Sequence, residues 1–367
     1  MYKFIKHKYL FVILYTLFGA LSPCFCKNQE NIIPAAHILM PAYNANKFIL
    51  SAIGSVLKQK HSNLKLLIFN DGSTDETFTT VKTLLQHNPM LKNKIYLKSI
   101  DNNKGVSNAR TMLIKWSKNI EPQAYIFWLD ADDQYTNKFF IRDAIKQMQK
   151  TNADICLANF SIIYENEAQK NNSKDIVKDQ QKIAKIIKTI LSTPNQSVDP
   201  MKLPELLEIT SLGWVKCYAP TVQLPQPLNF PFEDFVYMAA LLEVNNITAL
   251  PAKNKPIQYL RRSNSVCGQR KSNNFINDIP YQLKKFFDTV LERSMHQQHQ
   301  LQKLQTAKSF VSKKLTQYLK LLEKIVKAKH NPEINQNTLK IYLQKAQYLE
   351  KYINEQISII TKKKMFN

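Results

Sequence analysis

The residues best suited to chemistry in this chain are carboxylates gathered in two short stretches. Asp71 and Asp75 bracket a Gly-Ser-Thr turn in the run "NDGSTD", and Asp130, Asp132 and Asp133 close the run "YIFWLDADD". In the second stretch an apolar segment built for burial leads straight into three acids. Crowded carboxylates repel unless one keeps a proton or a cation sits between them. Oxygen-only ligands select a hard ion, magnesium or manganese, which takes one or two protein carboxylates and completes its shell with phosphate oxygens. The chain has only 6 glycines, none in a G-x-G-x-x-G or P-loop arrangement, so a bound phosphate needs some other neutralising group. A D-x-D pair alone is a weak signal, because an acidic loop capping a helix from Lys138 onward has the same composition.

The elements around these clusters alternate in type. "HILMP" (His37 to Pro41) reads as a strand, and Phe48, Ile49, Ala52, Ile53, Val56 and Leu57 then fall on one helical stripe. "LKLLIF" is a second strand ending at "NDGSTD", and Ser73 or Thr74 is placed to cap the helix carrying Phe78, Val81, Leu84 and Leu85. "KIYLKSI", "VSNARTMLIKWSK" and "AYIFWLD" follow as strand, helix and strand. Such alternation predicts an α/β fold with a mostly parallel sheet and helices on both faces. Ligands of these sheets bind at the carboxyl ends of the strands, which is where both acidic clusters fall.

Beyond Ala153 the regularity weakens. "ICLANFSIIY" and "KPIQYL" read as strands, Lys174 to Leu191 as a polar helix, and Pro194 to Pro231 as a proline-rich passage suited to substrate-specific loops. After about Ile279 the pattern becomes helical. Val311, Leu315, Leu319, Leu322 and Val326 mark one amphipathic helix, "HNPE" breaks it, and Leu339 to Ile360 mark a second, which predicts an antiparallel hairpin.

The 367 residues carry a formal net charge of +23 and are 44% hydrophobic, enough for a core and an appendage. No RNA-recognition, zinc-finger or aromatic-interleaved basic motif accompanies the charge, so no nucleic-acid partner is expected. The basic tail is a solvated face, a possible membrane surface contact, or a contact with an acidic partner. Lys3, Lys6 and Lys8 precede an apolar run from about Tyr9 to Phe25, so residues 1–30 read as a signal peptide or membrane anchor, without choosing the side of the membrane. Cys24 and Cys26 lie in that leader and Cys156, Cys217 and Cys267 are scattered, which indicates structural thiols and neither a disulfide framework nor a zinc site. His37, His61 and His87 lack metal-ligand spacing, and Trp116, Trp128 and Trp214 read as core, Trp214 having the best claim of the three to a site role.

The stretch "HILMPAYNANKFILSAIGSVLKQKHSNLKLLIFNDGSTDET", then "NKGVSNAR" and "YIFWLDADD", resembles the opening of the family 2 glycosyltransferases in motif, order and spacing. "GWVKCY", "FPFEDFVYMAALL" and "YLRRSNSV" are similar to looser motifs of the family's second half. The resemblance implies a catalytic domain over 36–268 with the GT-A, Rossmann-like fold of nucleotide-diphosphosugar transferases, leaving 279–367 as a basic helical region outside it. It implies that Pro41, Tyr43 and Asp71 frame the nucleobase, Arg110 lies beside the nucleotide, Asp130 near the ribose, and Asp132, with Asp130, on a manganese or magnesium ion. Asp234 matches the family's E-D acid and is the implied catalytic base. Glu233 is then an acceptor contact or a helix cap, and Lys216, Arg261 and Arg262 are candidate phosphate or acceptor contacts. The family commonly has two acids before G-S-T-D, where this chain has Asn70 and Asp71.

The implied reaction is inverting, metal-dependent transfer of a sugar from a nucleotide sugar, with a lean toward UDP, to a glycan or lipid-linked acceptor. A haloacid-dehalogenase-type phosphohydrolase also sets D-x-D after an apolar strand, but that pattern wants Thr or Val where Gln134 stands. The alternative reading is a non-catalytic relative attached to an anionic surface by its helical tail.

Overall fold

Ladder geometry brings the two acidic stretches together. In the computed structural model, which describes residues 33–167, 170, 174–203, 206, 216–224, 240–262, 273–295, 299–328 and 336–365, strand β1 (Ala36–Ala42) lies between β2 (Leu64–Asp71) and β4 (Tyr125–Trp128), parallel to both. Pairing Pro41 with Phe69 on one side and Leu39 with Trp128 on the other sets the carboxyl ends of all three strands at one rim. Strand β3 (Ile95–Ile100) continues the parallel set beyond β2. Ile38, Leu39, Met40, Leu66, Leu67 and Ile68 are buried as consecutive apolar runs, the mark of strands covered on both faces.

Helices α1 (Ile49–Leu57), α2 (Thr77–His87) and α3 (Val106–Ile120) connect these strands. The stripe predicted for α1 is buried at Ile49, Ala52, Ile53 and Val56, while Leu57 at its end is exposed. The cap of α2 differs from expectation. Ser73 and Thr74 are taken up by Asn44, and Asp75 is the residue whose carboxylate accepts from the Thr77 N–H at 2.9 Å.

Past the short strand β5 (Gln134–Tyr135) and helix α4 (Phe140–Thr151), the predicted strand "ICLANFSIIY" divides in two. β6 (Ile155–Leu157) stays in the main sheet, whereas β7 (Phe160–Tyr164) joins a second one. The break is Asn159, whose side chain accepts from the Phe160 N–H and donates to the Ala252 carbonyl, so the chain turns where an uninterrupted ladder would need an extended residue. Helix α5 spans Lys174–Leu191 as expected, followed by β8 (Ser197–Val198), β9 (Lys216–Tyr218), β10 (Ile247–Ala249) and β11 (Ile257–Arg261). The main sheet runs β3-β2-β1-β4-β9-β6-β10-β8 and the small one β5-β11-β7. The pairs β4–β9, β9–β6 and β10–β8 are antiparallel, so the parallel half carries the acids and a mixed half completes the sheet.

The tail has three described helices where a hairpin was expected. α6 (Asn273–Ser294) precedes α7 (Gln300–Ala328) and α8 (Gln336–Met365), and all three pack on one another. Ile279, Leu283, Phe286, Phe287 and Val290 of α6 are buried, and the Tyr342 hydroxyl of α8 donates to the Leu315 carbonyl of α7 at 3.1 Å. Arg293 of α6 is anchored on Glu243 at 2.6 Å, just before β10. From Pro34 onward the chain clusters as one unit, so sheet and tail are not separate bodies. The expected leader at 1–30 lies outside the described residues, and no helix among the described residues is long and apolar enough to cross a membrane.

Candidate functional site

At the rim, the turn after β2 and the loop after β1 are fastened to each other. Asn44 adopts a left-handed conformation (φ 48°), which Asn tolerates better than most residues. Its N–H donates to Ser73 Oγ at 3.1 Å, and its Oδ1 accepts from the Thr74 N–H at 2.8 Å. Gly72 has φ 65°, and a Cβ there would stand 2.5 Å from the backbone C of Asn102 and N of Asn103. Positive φ and close backbone approach both require glycine at this position.

Asp71 is buried beneath the segment after β3, its Oδ1 accepting from the Lys104 N–H at 3.1 Å. Burial raises its proton affinity, and the N–H groups of Lys104 and Gly105 pull it partly back. Asn70, in place of a second acid, donates to Ser99 Oγ at 2.8 Å and accepts from Ser73, tying β2 to β3 without adding charge. Pro41 is buried within β1, while Tyr43 follows the strand with its ring exposed.

The second acidic cluster is paired with two arginines. Arg110, on α3 and almost enclosed, donates from Nη2 to Asp130 Oδ1 at 2.9 Å and lies over the Trp128 ring, 5.6 Å from its centroid. Arg262, directly after β11, pairs with Asp132 and stacks at 4.8 Å on the Phe48 ring. The turn between them is closed by the Asp133 N–H donating to the Asp130 carbonyl at 3.0 Å. Burial raises the proton affinity of Asp132, Arg262 opposes that rise, and Asp130 adds to it.

Asp133 carries a different load. It is 1% exposed, accepts from the Leu260 N–H at 2.9 Å, and leaves Oδ2 without a hydrogen-bond partner. Burial, and then its two acidic neighbours Asp132 and Asp130, drive its pKa well above the usual carboxylate range. β11 thus touches both Asp132 and Asp133. Sequence reading placed Arg262 among possible phosphate contacts but gave no sign of this pairing across 130 positions.

The structure therefore brings Pro41, Tyr43, Asp71, Arg110, Asp130 and Asp132 to the carboxyl ends of β1, β2 and β4. Asp234, Glu233 and Trp214 lie outside the described residues, and Lys216 falls on β9. His37 is buried and bonded to Ser117 Oγ at 2.8 Å, Trp128 is buried, and Trp116 packs half-buried on the core. Cys156 and Cys217 are buried free thiols opposite each other in β6 and β9. Among the described residues no three His, Cys, Asp or Glu side chains converge as a metal cage. Asp130 and Asp132 nonetheless fit a hard cation. They are oxygen-only donors one residue apart, and the Asp132 carboxylate already attracts positive charge in a partly desolvated place.

Residues 37–204 match the family model for glycosyl transferase family 2. This stretch is a glycosyltransferase domain similar to those of family 2. The chain is 29% identical over 219 residues to UDP-Glc:alpha-D-GlcNAc-diphosphoundecaprenol beta-1,3-glucosyltransferase WfgD of Escherichia coli, covering 58% of this chain and 72% of that protein. Against the processive diacylglycerol beta-glycosyltransferase of Mycoplasma pneumoniae it is 30% identical over 127 residues, 35% of each chain. The fold is similar to that of residues 1–349 of Staphylococcus aureus TarS, crystallised with UDP, with a TM-score of 0.54 at 14% identity over 91% of this chain and 92% of that one. The domain is an enzyme domain that works on nucleotide sugars, and the family's GT-A fold is the one observed.

Proposed function

We propose that this glycosyltransferase moves a sugar from a uridine-diphosphate donor to a hydroxyl of a glycan or lipid-linked acceptor, inverting the anomeric carbon in one displacement. The observation that carries the proposal is the pairing of both D-x-D carboxylates with arginines at the rim where Asp71 ends β2. The donor nucleotide is favoured by the UDP in the TarS structure and the UDP-Glc in the name of WfgD. Both relatives with lipid in their names, diphosphoundecaprenol and diacylglycerol, favour an acceptor held in a membrane. An apolar leader with lysines ahead of it fits such an acceptor.

In this reading the exposed Tyr43 ring and Pro41 frame the base, and Asp71 accepts from the base edge. Asp130, held by Arg110, faces the ribose. Asp132, with Asp130, holds a manganese or magnesium ion, which when bound supplies Lewis-acid stabilisation of the departing diphosphate. Arg262 shares Asp132 with that ion and offers its guanidinium to the diphosphate oxygens, a geometry suited to Arg. Asp234 takes the proton of the acceptor hydroxyl as it attacks.

A thermal-shift screen of nucleotide sugars with and without manganese tests the donor half. Stabilisation that requires a UDP-sugar and the ion together is the expected result, by mass-action linkage. Equal stabilisation in the presence of a chelator would refute the metal role, and sugar transfer surviving in Asp234→Asn would refute the base.

A further inference from the structure

Four exposed apolar side chains lie on α8, Leu343 at 37% and three others that share one line beside the packed stripe. Ile341 is 42% exposed, Tyr348 65% and Ile359 47%. Their separations of seven and eleven residues put them within about 20° of one line on an α-helix. The packed stripe of the helix lies roughly 100° round from that line, with Tyr342, Leu349 and Ile353 buried. Lys340, Lys351, Lys362 and Lys363 are exposed around the apolar line, with Glu355 as an acid within it. Neighbouring α7 adds to the same sign, since α7 and α8 hold seven and six lysines against one and two glutamates.

This face is fixed to the rest of the protein. The Tyr352 hydroxyl of α8 donates to Asp288 of α6 at 2.8 Å, Lys284 closes the same carboxylate at 2.7 Å, and Arg293 of α6 is anchored on Glu243 beside the sheet. Whatever α8 lies on therefore sets the orientation of the crevice as well.

We propose that the Ile341–Tyr348–Ile359 line of α8, with its surrounding lysines, is a docking surface for an anionic lipid bilayer, holding the chain flat on the membrane. The partner is chosen by chemistry. Lysines attract the negative surface potential, and the apolar line sinks below the headgroups between them, which a polyanion in water gives it no reason to do. The inference extends the proposed lipid-linked acceptor but rests on separate residues.

The test is flotation of the full chain with vesicles of phosphatidylcholine mixed with phosphatidylglycerol, against vesicles of phosphatidylcholine alone. Binding to the anionic vesicles only is expected. Neutralising Lys340, Lys351 and Lys362 together to Gln is expected to weaken it on the order of a hundredfold, from the usual contribution of each surface lysine. A second variant, Ile341→Ser with Tyr348→Ser and Ile359→Ser, keeps the charge and is expected to lose vesicle binding while retaining any binding to heparin. Equal binding of both variants and the parent to anionic vesicles, or no vesicle binding at all, overturns the proposal. Hydrolysis of UDP-sugar measured on the same preparations separates the two readings. Vesicle binding without hydrolysis rejects the enzyme assignment and keeps the docking surface, and hydrolysis without vesicle binding does the reverse.

Discussion

In the crevice, Arg110 is matched to Asp130 and Arg262 to Asp132, one cation to one anion, whereas α7 and α8 carry many lysines and few acids. Solvation accounts for the difference. A charge taken out of water costs several kcal/mol unless a partner stands at hydrogen-bond distance, so each residue at the rim is fixed by position. An exposed lysine keeps its water shell and acts through a summed field, so its face is fixed by composition. The same contrast separates Asp133, whose proton affinity is raised by enclosure, from Glu355, which stays among exposed neighbours on α8.

The sharpest way to break the comparison is Asp132→Asn, which keeps the shape and removes the charge. Loss of about a thousandfold in transfer, the scale of one electrostatic contact to a departing group, is expected in steady-state assays with saturating manganese. Activity within tenfold of the parent would make the Asp132–Arg262 pair a structural tie only.

Next in size is the response to acid. His37 is buried with its pKa lowered to about 4 from 6.5, chiefly by desolvation and then by Lys65, against a small opposing pull from Glu121. The folded state therefore favours the neutral ring, so this contribution is whole above pH 6.5 and is lost as pH falls toward 4. Chemical denaturation across that window should show a loss of about 3 kcal/mol that His37→Phe largely removes. An unchanged slope in the variant would assign the acid sensitivity to other groups.

Gly72→Ala comes third. A methyl group 2.5 Å from the backbone of Asn102 and Asn103, at positive φ, is expected to cost about 2 kcal/mol in urea unfolding. A neutral result would show that the segment after β3 yields freely. Smallest is Lys351→Ala on the exposed face, for which a stability change within about 0.5 kcal/mol is expected, and a larger one would place α8 on the crevice side of the comparison.

The parallel half of the sheet was legible because its signals are local. Buried runs such as "LKLLIF", followed by turn residues and a periodic helix, name both the element and the rim at which it ends. The resemblance of the motifs to the family then implied that Asp71, Arg110, Asp130 and Asp132 share one site. What escaped is non-local. The split at Asn159 depends on the carbonyl of Ala252, and the Asp132–Arg262 and Asp133–Leu260 contacts join positions far apart in the chain. Helix α6 was missed for a different reason. Its Asn-rich opening and Pro280 hide a stripe in which Ile279, Leu283, Phe286 and Phe287 are buried.

One strand carries a practical corollary. Because β11 supplies the amide that fixes Asp133 and leads into the guanidinium on Asp132, the acidic rim of the crevice is wired to "YLRRSNSV", the last stretch that resembles the family and one far along the chain from the acids. A chimera that grafts a foreign second half onto the first motifs must import a compatible Leu260–Arg262 segment too, or the Asp130–Asp133 turn loses its ties while every residue of those first motifs remains in place.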